Sequence, residues 1–408
     1  MGARLAVDFG TSNTAAAVLE GGRPRVIPLE GAEETLPTAV FLDFGARRTL
    51  FGHAAVAALI EGRDGRFMRA LKSVLGTPLM HERRQFLQER LTLVEIVARF
   101  LAEVKARAEA ATGQQFPRAL SGRPVRFHHD PARDARAAAD LAACYAAAGF
   151  EAVDFLPEPE AAALSAAAGD GLGLIVDIGG GTSDFTLFER AGDETRTLAS
   201  HGVRIGGTDF DKALSLALVM PLLGKDSRIR AELGRATLPA PVALFNDLAS
   251  WEKIPFLYGA DTLRDVVRMA RLAEEPEKFA RLRDVLEMHL GHDVAFAVER
   301  GKIAANGSDR LHEIDLGVLE RGLAAPLPPL ALTATLRPFA DNIAAAVDET
   351  LARAGVGAGA VGQVVCVGGS SLLAVVSDAV AARLPGAELR FGRAFTAIVD
   401  GLAIAAAR

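Results

Sequence analysis

Short apolar runs that end in an acid and then a glycine turn punctuate this chain. Leu5-Ala6-Val7 leads into Asp8 and a Gly10-Thr11-Ser12-Asn13 turn; Ala15 to Leu19 is apolar again, and Gly21-Gly22 ends the segment. This pattern predicts a β-hairpin. Leu174-Ile175-Val176 repeats it, ending in Asp177 and the turn Gly179-Gly180-Gly181-Thr182-Ser183-Asp184 before a second strand from Phe185 to Phe188. A third strand, Val364 to Val367, runs into Gly368-Gly369-Ser370-Ser371, and here the turn opens a helical pattern from Leu372 to Leu384. Between these sites apolar residues recur at helical spacing over Leu91 to Ala111, Pro131 to Ala148, Asp261 to Asn306 and Ala340 to Ala354. The Ala-rich runs read as helix, since Ala has the highest helix propensity. Alternation of strands and helices predicts an α/β fold.

Two familiar nucleotide signatures fail. No G-x-x-x-x-G-K-[ST] sequence occurs, so a P-loop is not supported. Gly357-Ala358-Gly359-Ala360-Val361-Gly362 fits the dinucleotide fingerprint, but it precedes a strand instead of following one and reads as a helix-stop loop.

Composition narrows the class further. A chain of 408 residues with 50% hydrophobic content exceeds what one core usually supports, about 250 to 300 residues, so two lobes are expected. Net charge −6 provides no basic field for nucleic acid or anionic lipid, and neither partner is expected. The apolar stretches Ala213 to Leu223 and Leu327 to Leu336 are too short or too Pro-rich to span a bilayer. Cys144 and Cys366 sit far apart in apolar surroundings and read as buried reduced thiols. With no signal-peptide core before Asp8, the expected compartment is the cytosol.

The glycine turns carry the chemistry. Glycine lets backbone N–H groups and neighbouring hydroxyls converge on phosphate oxygens. An aspartate just before such a cradle repels a bare phosphate but suits a hydrated Mg²⁺ bridging phosphate oxygens, because magnesium keeps several of its waters. Asp8 and Asp177 are therefore candidate metal anchors acting mainly through water. Each turn alone could equally be a hairpin with a helpful aspartate; the repetition favours the cradle. His128-His129-Asp130 superficially resembles a metal cluster, yet no further His or Cys lies at ligand spacing, and a loop at a helix edge is the expected reading. Trp251 is expected to pack within a helical segment.

These residues resemble the actin, hexokinase and heat-shock ATPase superfamily, and within it the DnaK-type heat-shock chaperones. Asp8-Phe9-Gly10-Thr11-Ser12-Asn13 is similar to the first phosphate motif and Asp177 to Asp184 to the second. Glu158-Pro159-Glu160-Ala161-Ala162-Ala163 resembles the connecting motif, and Gly206-Gly207-Thr208-Asp209-Phe210-Asp211 the turn that follows the second phosphate motif. Ala70-Leu71-Lys72-Ser73-Val74-Leu75-Gly76 matches the segment with the catalytic lysine, and Val367-Gly368-Gly369-Ser370 the adenosine-binding turn. Together the six pieces, in order, span nearly the whole chain. Gly122 to Phe127 and the segment around Asn246 to Trp251 are similar to a shortened bacterial branch described as chaperones.

The resemblance implies a two-lobed actin-like ATPase in which a ribonuclease H-like motif is duplicated, each lobe a mixed sheet flanked by helices. It places lobe I at residues 1–172 with 392–408 and lobe II at 173–391, with a helical insert over about 222–306. It implies ATP or ADP with Mg as cofactors. Lys72 would bring positive charge to the γ-phosphate and attacking water, though a solvated helix lysine is the plainer reading. Glu158 would orient water or magnesium, and it also suits a helix N-terminus beside Pro159. Thr11 and Thr182 would donate hydroxyls to phosphates, with Thr182 also placed to relay a proton. Asp184 would support the metal or simply its own turn. Gly10, Ser12, Asn13, Gly179, Gly180, Gly181, Gly206, Gly207, Gly368, Gly369 and Ser370 complete the implied nucleotide contacts.

Glu299 and Lys302, at i,i+3 spacing on one helix face, match residues that contact the ribose; an ordinary surface ion pair is the alternative. The chain departs from the family at Ile303 and Leu372, where arginines that sandwich adenine are expected. The implied function is slow ATP hydrolysis as a conformational switch acting on a client or co-chaperone protein, with a monomer favoured. Ile398 to Ala407 is apolar and reads as the end of the fold, so a peptide-binding domain of the kind such chaperones carry is not expected. A sugar-type kinase and a filament-forming ATPase of the same superfamily remain open alternatives.

Overall fold

The computed structural model describes residues 3–128, 130–165, 169–192, 194–231, 236–251, 253–391 and 396–407. The first apolar runs form β1 (Arg4–Phe9), β2 (Asn13–Glu20), β3 (Arg23–Val26) and β4 (Leu36–Pro37). A side sheet of β5 (Ala39–Asp43), β6 (Arg48–Phe51) and β7 (Gly65–Arg69) follows, packed by α1 (Gly52–Ile60), and then the hairpin β8 (Arg84–Phe86) and β9 (Glu89–Leu91). α2 (Leu93–Thr112) begins at a capping box: Glu95 N–H donates to Thr92 Oγ1 at 3.2 Å and Thr92 N–H to Glu95 Oε2 at 2.7 Å. β10 (Arg118–Arg123), α3 (Pro131–Ala147), β11 (Ala152–Pro157) and α4 (Glu158–Ser165) complete the first half. Asp130 caps α3, with Pro131 at its first position.

The second half opens with β12 (Gly171–Ile178), β13 (Ser183–Ala191) and β14 (Glu194–Val203), then α5 (Gly207–Leu214). The expected insert carries the short ladder β15 (Arg228–Arg230) and β16 (Thr237–Pro239), then α6 (Val242–Leu248), α7 (Ala260–Leu272), α8 (Pro276–Glu287) and α9 (Gly291–Ala305). The uninterrupted helical stretch read over Asp261 to Asn306 is thus three helices. Pro276 starts the second of them, and at Gly291 a side chain would collide with Ile254 and the Tyr258 hydroxyl. After the ladder β17 (His312–Asp315) and β18 (Ala324–Leu327), α10 (Pro329–Ala354) extends the helix expected over Ala340 to Ala354 back by three turns, accommodating Pro338. β19 (Gln363–Val367), α11 (Ala374–Arg383), β20 (Glu388–Phe391) and α12 (Ala397–Ala406) end it. Gly357 to Gly362 forms the connection between α10 and β19, as its position before a strand predicts.

The two principal sheets have one topology. In the first the order is β11-β10-β1-β2-β3, with β1 antiparallel to β2 and parallel to β10, and β10 parallel to β11. In the second it is β20-β19-β12-β13-β14, with β12 antiparallel to β13 and parallel to β19, and β19 parallel to β20. The intervening helices correspond as well: α2, α3 and α4 match α10, α11 and α12 in chain order. The chain is therefore a mixed α/β protein with a duplicated sheet motif, as the actin-like resemblance implies.

The chain divides into two compact units, one of residues 1–202, 346–372 and 383–408, the other of residues 203–345 and 373–382. In the larger unit, the faces of α2 and α3 close a core of Phe9, Phe100, Phe116 and Tyr145 against the first sheet. On its other face α12 packs through Val399 and Leu402 against Ala6, Ala17 and Leu120. α4 and α12 cross so closely that a methyl group on Gly401 would overlap the backbone of Ala161. The smaller unit is organised around α5 to α9, where Phe210 meets Phe339 at 5.4 Å and Trp251 packs on His292 and Phe296. Cys144 and Cys366 are buried and free. Among the described residues no helix is long and apolar enough to cross a membrane.

Candidate functional site

The duplication puts an aspartate at equivalent strand ends. Asp8 lies on β1 just before its turn into β2, and Asp177 on β12 just before its turn into β13. Each turn is tight: Gly10 N–H donates to Asn13 O at 3.1 Å, and Gly179 N–H to Thr182 O at 2.9 Å. The two turns meet, because a Cβ on Gly180 would lie 2.6 Å from Ser12 Oγ. The third turn joins them. Gly368 has φ +79°, and a Cβ there would overlap Ile178 O and come within 3.0 Å of Asp177 Oδ1. Glycine is required at this point for backbone conformation and close approach together.

Lys72 and Glu158 arrive from elsewhere in the chain. Lys72 stands on a single 3₁₀ turn, Leu71–Val74, and Glu158 is the first residue of α4. Lys72 Nζ donates to Glu158 Oε1 at 2.6 Å, with side chains 11% and 16% exposed, so this is a part-buried ion pair and not a solvated lysine. Burial works against the ammonium, but Glu158, Asp8 and Asp177 outweigh it and hold its pKa above the ordinary lysine value.

The acids feel the reverse. Burial, then the charge of Glu158, pushes the Asp8 carboxyl up to about 7, with Lys72 pulling the other way. Asp177 is raised well above the usual carboxylate range by burial, then by Glu158, Asp184 and Asp8. Asp184 is pushed up to about 6 by burial and Glu158; water still reaches its side chain, although protein surrounds most of it. Asp177 and Asp184 are direct partners in the β12–β13 ladder. Four carboxyl groups thus share one ammonium. Such a cluster is short of positive charge, which is the deficit a divalent cation would fill.

Among the described residues no group of three or more His, Cys, Asp or Glu is arranged to hold a metal directly. The donor set therefore fits a hydrated Mg²⁺ reached through its waters better than a fully protein-ligated ion. His128 serves differently from any metal reading: its Nε2 lies 2.7 Å from Leu75 O, while its neighbour His129 lies outside the described residues.

Thr11, Asn13, Gly181 and Thr182 are exposed at the turns, and Gly369 and Ser370 half-buried, all open to a ligand. Thr38, which sequence reasoning passed over, supports the first turn: its N–H donates to Ser12 O at 2.8 Å and its hydroxyl pairs with Thr14 at 2.8 Å. Its only sequence signal was a hydroxyl beside a proline near an apolar run. Gly122 was read only as part of the branch resemblance, with no role at the site; a Cβ there would press on Glu158 Cγ at 3.3 Å.

The remaining predicted residues, Leu372 apart, belong to the smaller unit. Gly206 starts α5, its N–H accepted by Asp209 Oδ2 at 2.9 Å, and Gly207 is buried in the first turn. Lys302 is buried, and its Nζ sits 2.8 Å from Asp211 Oδ1, whereas Glu299 is exposed three residues earlier. Lys302 is therefore no ordinary surface ion pair. Burial raises the Asp211 carboxyl to about 6 despite Lys302, with Glu299 adding to the rise. Ile303 and Leu372 are exposed apolar residues.

Residues 4–231, more than half of the chain, match a family model described as Hsp70 protein. Among curated proteins, the chaperone protein DnaK of the archaeon Methanothermobacter thermautotrophicus is 29% identical over 270 residues, covering 62% of this chain and 43% of that protein. The chain spans less than half the length of that relative.

Proposed function

This chain belongs to the Hsp70 family, and from that premise we propose that it binds Mg-ATP and hydrolyses it slowly, using the nucleotide as a conformational switch. The observation that carries this reading is the convergence of three glycine turns on Asp177 beside the Lys72–Glu158 pair. The backbone N–H groups of residues 10–13 and 179–182, with the hydroxyls of Thr11 and Thr182, would cradle the phosphates. Asp8 and Asp177 would hold the cation through its water, with Asp184 beside them; when bound, Mg²⁺ neutralises charge that develops on the transferring phosphoryl group.

In this reading Lys72 turns from Glu158 toward the γ-phosphate and stabilises the transition state of in-line attack by water. Glu158 keeps the ammonium oriented beforehand and accepts a hydrogen bond from the attacking water. Thr182 would relay the proton, its hydroxyl accepting from the attacking water while passing its own proton to a γ-phosphate oxygen. In the larger unit Gly368, Gly369 and Ser370 would receive the nucleoside end, with Leu372 in place of a flanking arginine. In the smaller unit Gly206, Gly207, Glu299 and Lys302 are the residues for which the family resemblance implies nucleotide contacts, with Ile303 in place of the other arginine. The relative named DnaK is a chaperone, and by that analogy the switch would set affinity for a client or co-chaperone protein.

The test is single-turnover phosphate release from Mg-ATP with no acceptor added. Lys72→Ala is expected to slow release by about 10²-fold or more while nucleotide still binds. Release at the wild-type rate in that variant would remove Lys72 from the chemistry, and release only on adding a hydroxyl acceptor would redirect the reading to a kinase.

A further inference from the structure

The 3₁₀ turn that carries Lys72 is held in an unfavourable conformation at one end and clamped at the other. Ala70, immediately before it, has φ +55°. A residue with a Cβ persists there only when its surroundings over-determine it. Beyond the turn, Leu75 O accepts from His128 Nε2 at 2.7 Å, an arrangement that assigns the imidazole proton to Nε2. The next N–H, of Gly76, donates to Asp140 Oδ2 at 2.8 Å, and His81 Nε2 lies 2.9 Å from the other Asp140 oxygen. Asp140 is buried on α3, and Gly76 is pressed so close to α3 that a Cβ there would lie 2.5 Å from Arg133 O.

These contacts are unnecessary for a surface loop. Leu71 and Leu75 already fix the segment in the core, yet a buried carboxylate is spent on two more donors. We propose that Asp140 and His128 are positioning residues for Lys72, fixing Gly76 N–H and Leu75 O to α3 and its leading loop so that the backbone under the lysine is set before a phosphate arrives and only the side chain has to swing from Glu158. The inference rests on the reading of Lys72 as the cation that meets the transferring phosphate. Fixing a catalytic group this way removes a reorientation cost from the reaction, and misplacement on the scale of an ångström is enough to slow one severely.

The experiment compares the full chain with His128→Ala, His128→Gln, Asp140→Ala and Asp140→Asn, using two readouts. The first is trace acetylation of Lys72 by acetic anhydride without nucleotide, read by peptide mass spectrometry with Lys278 as internal reference. The second is kcat for phosphate release alongside Kd for Mg-ADP. Both alanine variants are expected to acetylate Lys72 severalfold faster and to lose about tenfold in kcat, with Kd for Mg-ADP near the wild-type value. Gln at 128 still offers an N–H to Leu75 O, and Asn at 140 still offers an oxygen to Gly76, so both should return close to wild type. Unchanged acetylation in the alanine variants overturns the proposal, as does equal loss in the alanine and conservative variants, which would mark a purely structural role. Should Asp140→Ala fail to fold, the His128 pair decides alone. A wild type that releases no phosphate removes the hydrolytic reading only, because acetylation still reports whether the clamp holds Lys72.

Discussion

Asp177 and Asp184 occupy directly opposed positions across the β12–β13 ladder. Like charges so placed destabilise a sheet unless something neutralises them, and here Asp8 and Glu158 add to the same field. In the proposed reading this arrangement costs stability that a bound cation would restore.

That cost has a pH signature. The Asp8 carboxyl rises from 3.8 to about 7 on folding, so between those values the folded state binds a proton that the unfolded chain has released. Stability is then highest at the acid end and falls as pH rises toward 7. Asp8→Asn should therefore be more stable than wild type at pH 8 in a chelator, by about 2 kcal/mol after allowance for solvent screening, and the two should converge near pH 4. Urea titrations at several pH values measure this. A variant less stable than wild type at pH 8 contradicts it.

Gly401 should be as sensitive as any residue that touches phosphate, although it touches none. A methyl group there has no space against Ala161, so Gly401→Ala must push α12 away from α4, the helix that begins with Glu158. The expected cost is about 3 kcal/mol together with loss of phosphate release. Chemical denaturation and a turnover assay on the soluble fraction check both.

Lys302 is buried against Asp211. Replacing it with methionine leaves that carboxylate buried without its cation, at a cost of about 3 kcal/mol. Adding Asp211→Asn should recover part of the loss. If Lys302 also meets the ribose, the double variant regains stability while nucleotide binding stays weak. Recovery of both would confine Lys302 to a structural role.

How much of this could be read in advance depended on whether each signal was local. An acid at a strand end followed by glycines is a local pattern, and it located Asp8, Asp177 and their turns. The partnership of Lys72 with Glu158, 86 residues apart, follows from no spacing rule, and both residues came from family resemblance. Pro276 and Gly291 marked helix breaks, but apolar periodicity on either side masked them. Gly401 and Asp140 owe their importance to a neighbour brought close by the tertiary fold, so nothing beside them in sequence announces it. The correspondence of the two principal sheets showed in the sequence as repeated turns, and the duplicated motif itself came from the family resemblance.

The most direct test of the account is calorimetric titration of the protein with ATP, once with magnesium and once in excess chelator, repeated for Asp177→Asn. Binding tightened by magnesium at least about tenfold in wild type, corresponding to about 1.4 kcal/mol, and much less in the variant, is the predicted result. Equal affinity with and without the metal, or no binding of ATP at all, would contradict the site as described.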